Sequence, residues 1–155
     1  MTYQIVVGID GSDASERALR WAASEARARG GTVQAITAWH WDGSGTFFVA
    51  ATSPADERNR AKQILDETVA KVSADNPDVA IAGELVEETP GKALTYAAAN
   101  ADVLVLGSHG HSRLHHAVLG SVSEECVRRA ACPVVVLPVP QTNHVTVPAA
   151  AAVAK

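Results

Sequence analysis

The stretch GSHGHSRLHHAVLGS, residues 107–121, brings three glycines and four histidines into one short segment. Its glycines follow the spacing G-x2-G-x9-G-S, from Gly107 through Gly110 to Gly120 and Ser121. Glycine lets a backbone approach a ligand closely and adopt positive φ. The segment is therefore compatible with a loop that wraps a phosphate, with a metal site, or with an ordinary turn between a strand and a helix.

A helix predicted to begin at the end of this segment would offer an anion site. The backbone N–H groups of residues 120–123 would have no partner inside that helix, and the helix dipole would add to their attraction for a phosphate. The hydroxyls of Ser121 and Ser123 could add donors. Ser121 followed by Glu124 is also a capping box, so the spacing alone leaves a simple capped helix open.

The histidines of the segment invite a metal interpretation, and His111 and His115 have the i, i+4 spacing of a helix face. However, no Cys, Asp or Glu lies between Gly107 and Ser123 to join them as a ligand. We therefore expect histidines that are solvated or face a phosphate, and an affinity for the phosphate ligand that rises as the pH drops through about 6.5. Arg113 is the basic side chain of the segment and could reach a phosphate or stay in solvent.

A second group of candidate site residues follows the first predicted strand, where Gly8 and Ile9 lead into Asp10. Asp10 could be a turn residue or a helix cap, but Ser12 and Asp13 are better placed to cap. Asp13 with a glutamate three positions on can form a capping box. A carboxylate near a phosphate needs a ligand hydroxyl or a bridging Mg²⁺ to offset the repulsion between like charges.

Apolar strands alternate with amphipathic helices along the chain, which is typical of a parallel sheet with helices on both faces. Ligands of such sheets bind beyond the carboxyl ends of the strands. The two candidate groups would meet at one crevice if the first and fourth strands are neighbours. The predicted strands cover residues 3–9, 32–40, 78–87, 102–107 and 133–140, and the predicted helices cover about residues 13–29, 55–74, 90–100 and 121–131.

The fifth predicted strand has the character of a sheet edge that something must cover. Pro133, Pro138 and Pro140 at its ends suit an edge, because proline cannot donate to a neighbouring strand. Its centre, Val134–Leu137, is too apolar to leave an edge in water. A second copy of the chain paired with this strand would resolve the conflict.

The bulk properties limit the class of protein. The chain has 155 residues, enough for one domain, which we place at residues 1–140 with a flexible tail at 141–155. Its net charge of -4 provides no basic field for nucleic acid or an anionic membrane, and no apolar run is long enough to span a bilayer. Because the two cysteines do not form a disulfide framework and the chain begins without a signal peptide, we expect a cytoplasmic protein.

The sequence resembles the universal stress protein family, in its ATP-binding branch. The resemblance covers the core from Tyr3 to Leu137 and rests on VVGIDGSDASERALRWA, DVLVLGSHG and LGSVSEECVRRAACPVVVLP, together with the spaced glycines before Ser121. It implies an α/β fold, a Rossmann-like, doubly wound five-stranded parallel sheet of order 3-2-1-4-5. It also implies a homodimer paired through the fifth strand, Val134–Leu137.

Carried onto this chain, the resemblance implies an ATP site in which Asp10 contacts the ribose or a phosphate-bound Mg²⁺. Ala38 and Val86 would lie against the adenine. Trp39, His40 and Trp41 follow the second strand and could form an aromatic lip over the base, although core or dimer packing is equally consistent with the sequence. The expected nucleotide-binding residues are Gly8, Ile9, Asp10, Ala38, Val86, Gly107, Ser108, His109, Gly110, His111, Arg113, Gly120, Ser121, Val122 and Ser123.

The chain departs from the family pattern in two places. Many members have a glycine where this chain has Glu88, two residues before Pro90, so the pocket wall there is expected to differ. Arginine is frequent in the family where this chain has His109 and His111, which weakens the fixed positive charge near the phosphates.

The expected function is nucleotide binding rather than dedicated catalysis. The segment lacks the G-K-[ST] of a P-loop and carries no carboxylate to act as a base. We therefore expect an ATP-binding sensor or switch in the stress response, with slow or no hydrolysis and an unidentified regulatory protein partner. The alternatives are a protein whose natural ligand is AMP or cyclic AMP, and a genuine ATP hydrolase.

Overall fold

A computed structural model of the chain describes residues 1–41, 53–109 and 119–140. Strands and helices alternate along the chain, as the sequence predicts. The strands are β1 (Gln4–Gly8), β2 (Thr32–Trp39), β3 (Ile81–Glu87), β4 (Val103–Gly107) and β5 (Val134–Leu137), and the helices are α1 (Asp13–Arg29), α2 (Pro54–Asp75), α3 (Pro90–Ala97) and α4 (Ser121–Arg129). A 3₁₀ turn, Ala98–Asn100, extends α3 to the predicted end of that helix.

The strands form one parallel sheet of order β3-β2-β1-β4-β5, which confirms the predicted order. Residue Ile5 of β1 lies opposite Val33 of β2 on one side and opposite Val103 of β4 on the other. The ends of β1 and β4 are therefore neighbours. The two groups of candidate site residues that follow these strands meet at the same edge of the sheet.

The helices cover the sheet on both faces, which explains why the central strands are apolar on both sides. Ile5 and Val7 of β1 are buried with residues of α1 and α2 on one face. Val6, which points the other way, is buried with Leu94 of α3 and Cys126 of α4. Burial raises the pKa of the Cys126 thiol to about 11, so this cysteine stays neutral and packs as a small apolar residue.

The start of α1 differs from the prediction by one residue. The N-cap is Ser12, whose hydroxyl oxygen accepts a hydrogen bond from the amide of Ser15 at 3.2 Å. Asp13 instead lies in the first turn, so the predicted capping box of Asp13 and Glu16 is wrong. The reason lies in Gly11, whose φ of 82° turns the chain and leaves Ser12 extended in the cap position.

Ion pairs join α1 and α2 on the surface of the first helical layer. The carboxylate of Glu16 accepts hydrogen bonds from Lys71 at 2.9 Å and from Arg20 at 3.2 Å. Arg20 also donates to Asp75 at 2.7 Å. Lys71, and to a smaller extent Arg20, hold the pKa of the Glu16 carboxyl below its ordinary value. These contacts join the last turns of α2 to the first half of α1.

Strand β5 pairs with β4 on one side, and within residues 1–41, 53–109 and 119–140 no strand pairs with its other side. Its residues Val134–Leu137 are half-buried. Pairing with a second copy therefore stays a prediction, and the predicted tail at 141–155 lies outside the described residues. None of the helices described here is long and apolar enough to cross a membrane.

Candidate functional site

A cavity of about 540 Å³ opens at the carboxyl ends of β1, β2 and β4. Its volume is within the roughly 300–1,000 Å³ that is typical of small-molecule sites. It lies where the chain leaves the sheet and enters the helices of both layers. The predicted site residues that line it are Gly8, Ile9, Asp10, Ala38, Gly107, His109, Gly120, Ser121, Val122 and Ser123.

One wall of the cavity is the start of α4. Gly120 is the N-cap, and no side chain caps the helix, so the alternative capping box of Ser121 and Glu124 does not form. The amide of Gly120 donates to the carbonyl oxygen of Ser108 at 2.7 Å, which removes it from the predicted set of available donors. No acceptor among the described residues takes the amides at 121–123, and Ser121, Val122 and Ser123 line the cavity.

Ser123 has a different role from the one predicted for its hydroxyl. The residue is 4% exposed, and its hydroxyl donates to the carbonyl oxygen of Gly107 at 2.8 Å. A longer contact of 3.4 Å joins the same hydroxyl to the oxygen of Ser108. Ser123 thus ties the first turn of α4 to the end of β4 and positions the amides. The Ser123 hydroxyl already donates its proton within the protein, whereas the side chain of Ser121 is exposed at the cavity and could donate to a ligand.

Two glycines beneath the cavity allow close packing of the elements around it. A Cβ at Gly107 would lie 2.7 Å from the Cβ of Ala14 in α1. A Cβ at Gly8 would lie 2.9 Å from Leu106 Cδ2 and 3.0 Å from Leu94 Cδ1. Such distances are shorter than ordinary contacts, so these glycines let α1 and α3 approach the strand ends. Gly120 lies at the mouth, and a Cβ there would lie 3.1 Å from the oxygen of Ser108.

Asp10 lies at the end of β1, on the floor of the cavity, and is exposed. Its Oδ1 accepts hydrogen bonds from the amide of Ser12, at 2.9 Å, and from the Ser12 hydroxyl. Its own amide lies 3.3 Å from the Ser15 hydroxyl. Asp10 therefore takes part in the turn that starts α1 and also presents a carboxylate to the cavity.

The β2 side of the cavity is largely apolar, and Ala38 lies on it as predicted. Thr37 is buried and its hydroxyl donates to the carbonyl oxygen of Ile9 at 3.0 Å, which joins β2 to the end of β1. Val86 pairs with Ala38 across the strands but lies outside the cavity lining; it is partly buried and packs against the core on the α3 and α4 face of the sheet. Ser108 also lies outside the lining, because its buried backbone is hydrogen-bonded to Leu137 of β5.

His109 lines the mouth of the cavity, and its Nδ1 lies 3.2 Å from the hydroxyl oxygen of Ser108. The predicted site residues Gly110, His111 and Arg113 lie outside the described residues. In the described part of the chain, no group of three His, Cys, Asp or Glu side chains is placed to hold a metal ion.

The sequence interpretation missed a whole wall of the cavity. The first turns of α2 contribute Glu57, Arg60, Ala61 and Ile64, at the i, i+3, i+4 and i+7 positions of one helix face. The topology contained the signal, because a helix that follows a parallel strand begins at the carboxyl edge, where the crevice lies. The other lining residues not predicted for the site are Ser12, Ser15, Ile36, Thr37, Pro90, Leu94 and Leu106. Of the three residues of the possible aromatic lip, Trp39 and His40 line the cavity, whereas Trp41 does not and is 39% exposed.

The fold and this cavity define an α/β protein with its binding crevice at the strand ends, and the family follows from the sequence. The model of the universal stress protein family matches residues 1–138. The chain therefore belongs to the universal stress protein family.

A curated relative and two solved structures illustrate the similarity. The universal stress protein Rv2005c of Mycobacterium tuberculosis is 33% identical over 132 residues, which are 85% of this chain and 44% of that protein. The chain spans less than half the length of this and similar curated relatives.

A universal stress protein crystallised in complex with cAMP is 28% identical, with a TM-score of 0.67 over 90% of this chain and 98% of that chain. The universal stress protein of Archaeoglobus fulgidus in complex with dAMP is 27% identical, with a TM-score of 0.65 over 86% of this chain and 96% of that chain.

Proposed function

We propose that this universal stress protein binds ATP in the cavity and acts as a nucleotide-dependent regulator in the stress response, with slow or no hydrolysis. The observation that carries the proposal is the first turn of α4, where the amides at 121–123 border the cavity without acceptors in the described chain. Such amides at a helix N-terminus form an anion site. The relatives solved with cAMP and with dAMP support an adenine nucleotide as the ligand.

The lining suggests how a nucleotide would lie. The phosphates would accept hydrogen bonds from the α4 amides, with the Ser121 hydroxyl as a further donor. The ribose hydroxyls would donate to the carboxylate of Asp10 at the end of β1. The base would lie on the apolar β2 side, against Ala38 and Leu94.

Mg²⁺ would accompany the nucleotide rather than occupy a site of its own. Mg²⁺ is commonly held by one or two carboxylates together with substrate phosphates. Asp10 could supply such a carboxylate, and a preformed cluster of metal ligands is absent from the described residues.

Slow hydrolysis is expected because the site has few of the groups that phosphoryl transfer requires. No lysine lies between Gly107 and Ser123 to neutralise charge that develops on the phosphates. A genuine hydrolase would instead release phosphate at about 10 per second or faster and lose this activity in Asp10→Ala.

AMP or cyclic AMP is a second candidate ligand, and a specific observation favours it. Among the described lining residues, the carboxylates of Asp10 and Glu57 outnumber the guanidinium of Arg60. This charge balance is less suited to a triphosphate than to a nucleotide with one phosphate.

A homodimer formed through β5 is part of the proposal. The amide of Ser108 donates to the carbonyl oxygen of Leu137 at 2.9 Å, so the backbone carbonyl group of Leu137 faces β4. Because backbone groups alternate along a strand, those of Val136 point toward the open edge of the sheet. A second copy could pair there, and we place the dimer and its unidentified protein partner in the cytoplasm.

The experiment that tests this function has two parts. First, mass spectrometry of small molecules released from freshly purified protein is expected to detect an adenine nucleotide. Second, calorimetric titration with ATP, AMP and cyclic AMP ranks the ligands. In Gly120→Val, the affinity for ATP should fall about tenfold or more, since a larger side chain 3.1 Å from the Ser108 oxygen would displace the amides.

The matched control is Ala131→Val, an exposed substitution that also adds a branched side chain, but after α4 ends. It should bind nucleotide like the wild type. Equal affinity of Gly120→Val and the wild type would show that the start of α4 does not hold the ligand.

A further inference from the structure

The α2 wall of the cavity contains a cation that the proposed phosphate site does not use. Arg60 lines the cavity from the second turn of α2 and is exposed. Three arginines on α1 form ion pairs with carboxylates; Arg20, for example, contacts Asp75 at 2.7 Å. In the ranges 1–41, 53–109 and 119–140, no carboxylate lies within ion-pair distance of Arg60. Its guanidinium is therefore available to a ligand.

The position of Arg60 in the fold assigns it to the base end of the cavity. Helix α2 packs over β2 and β3, whereas α4, with its amides, follows β4. Strands are about 4.8 Å apart, so the ends of β2 and β4 are separated by roughly 10 Å. Ile64, one turn after Arg60, contacts Gly11, where an ideal Cβ would lie 3.1 Å from Ile64 Cγ2. Arg60 thus lies over the cavity on the side opposite α4.

Charge on the same helix face argues against a phosphate beside Arg60. Glu57 lies one turn before Arg60 and also lines the cavity. A phosphate near both side chains would be repelled by this carboxylate, which would offset the attraction of the guanidinium. A neutral aromatic ring has no such penalty. A planar guanidinium stacks well on such a ring.

We propose that the guanidinium of Arg60 stacks on the purine ring of the bound nucleotide. It would cover the face of the base that is turned away from Ala38 and Leu94. Arg60 is then a residue that sets the affinity for the nucleoside, while the start of α4 sets the response to phosphate. This role rests on the proposed function, because it requires a nucleotide in the cavity.

The test is calorimetric titration of the wild type and three variants with adenosine, AMP and ATP. Arg60→Ala should lose about tenfold in affinity, by a similar factor for all three ligands, since stacking does not depend on the number of phosphates. Arg60→Lys should lose nearly as much, because an ammonium cannot stack as a plane. Arg58→Ala is the matched control on the same helix; Arg58 is exposed and does not line the cavity, so its binding should be unchanged.

Three results would overturn the role of Arg60 alone, in a wild type that binds nucleotide. These are an unchanged affinity in Arg60→Ala, a loss of affinity in Arg60→Ala that grows from adenosine to ATP, and an affinity equal to that of the wild type in Arg60→Lys. The last two would make Arg60 a phosphate contact. A folded wild type that binds none of the three ligands would instead overturn the proposed function, and the role of Arg60 with it.

Discussion

Replacing Ser123 by alanine tests how the start of α4 is held in place. The side chain is 4% exposed, and its hydroxyl donates to the oxygen of Gly107 at 2.8 Å. A typical hydrogen bond stabilises the folded state by about 0.5–1.5 kcal/mol, and a buried acceptor left without a donor costs about 1–3 kcal/mol. We therefore expect Ser123→Ala to lower the free energy of unfolding by about 1–2 kcal/mol.

The assay is urea denaturation followed by circular dichroism, with Ser121→Ala as the control. Ser121 lies two residues earlier in the same helix and is exposed, so the same chemical change should alter the unfolding free energy by less than about 0.5 kcal/mol. Ser123→Ala should also weaken nucleotide binding, because the α4 amides would lose their link to β4.

An unfolding free energy of Ser123→Ala within about 0.5 kcal/mol of the wild type would refute the reasoning. So would equal destabilisation by Ser121→Ala, since that result would not distinguish the buried hydroxyl from the exposed one.

Three further predictions concern the layers around the cavity. Because Lys71 lowers the pKa of Glu16 in the folded protein, the stability from this carboxylate is present above the ordinary glutamate pKa and is lost as the pH falls through the lowered one. Urea denaturation from pH 6 to about 3 should show a smaller decline in Glu16→Gln, and identical profiles would contradict this. Gly107→Val should lower the free energy of unfolding by about 1–3 kcal/mol or more, since a Cβ at this position would lie 2.7 Å from the Cβ of Ala14; an unchanged thermal unfolding temperature would contradict this. Val136→Pro should give a monomer in sedimentation equilibrium while Val136→Thr stays dimeric, because proline removes the N–H that points to the open edge of β5; a dimeric proline variant would exclude pairing there.

The parallel architecture could be predicted from the sequence because the strands are short apolar runs and the helices have a single apolar face. Burial of β1 between two helical layers is what its sequence requires, and the structure has Ile5, Val6 and Val7 without solvent exposure. The strand order came from the family resemblance and is confirmed. Periodicity gives the faces of an element but not its neighbours.

Helix starts were harder to predict, because several residues in a row could act as the cap. Ser12 and Asp13 are both good N-cap residues, and the positive φ of Gly11 decided between them. At α4, the bond from the Gly120 amide to Ser108 sets the start, and this contact joins segments that are distant in sequence. Local propensity does not contain such information.

The candidate site was predicted best where it depends on strand ends and glycines. The α2 wall with Glu57 and Arg60 was missed, because an exposed charge on a helix has the same sequence signature whether it faces solvent or a cavity. Val86 shows the opposite problem: it shares a face of the sheet with its partner Ala38, but it belongs to the edge strand β3, one strand beyond those whose ends line the cavity.

Nuclear magnetic resonance of the ¹⁵N-labelled protein during titration with ATP is the most direct test of the central claim, since it observes individual amides. The proposal predicts that the amide signals at 121–123 shift most, and that Gly120→Val suppresses these shifts. Saturable binding of ATP with the largest shifts elsewhere, and no change at 121–123, would contradict a phosphate site at the start of α4.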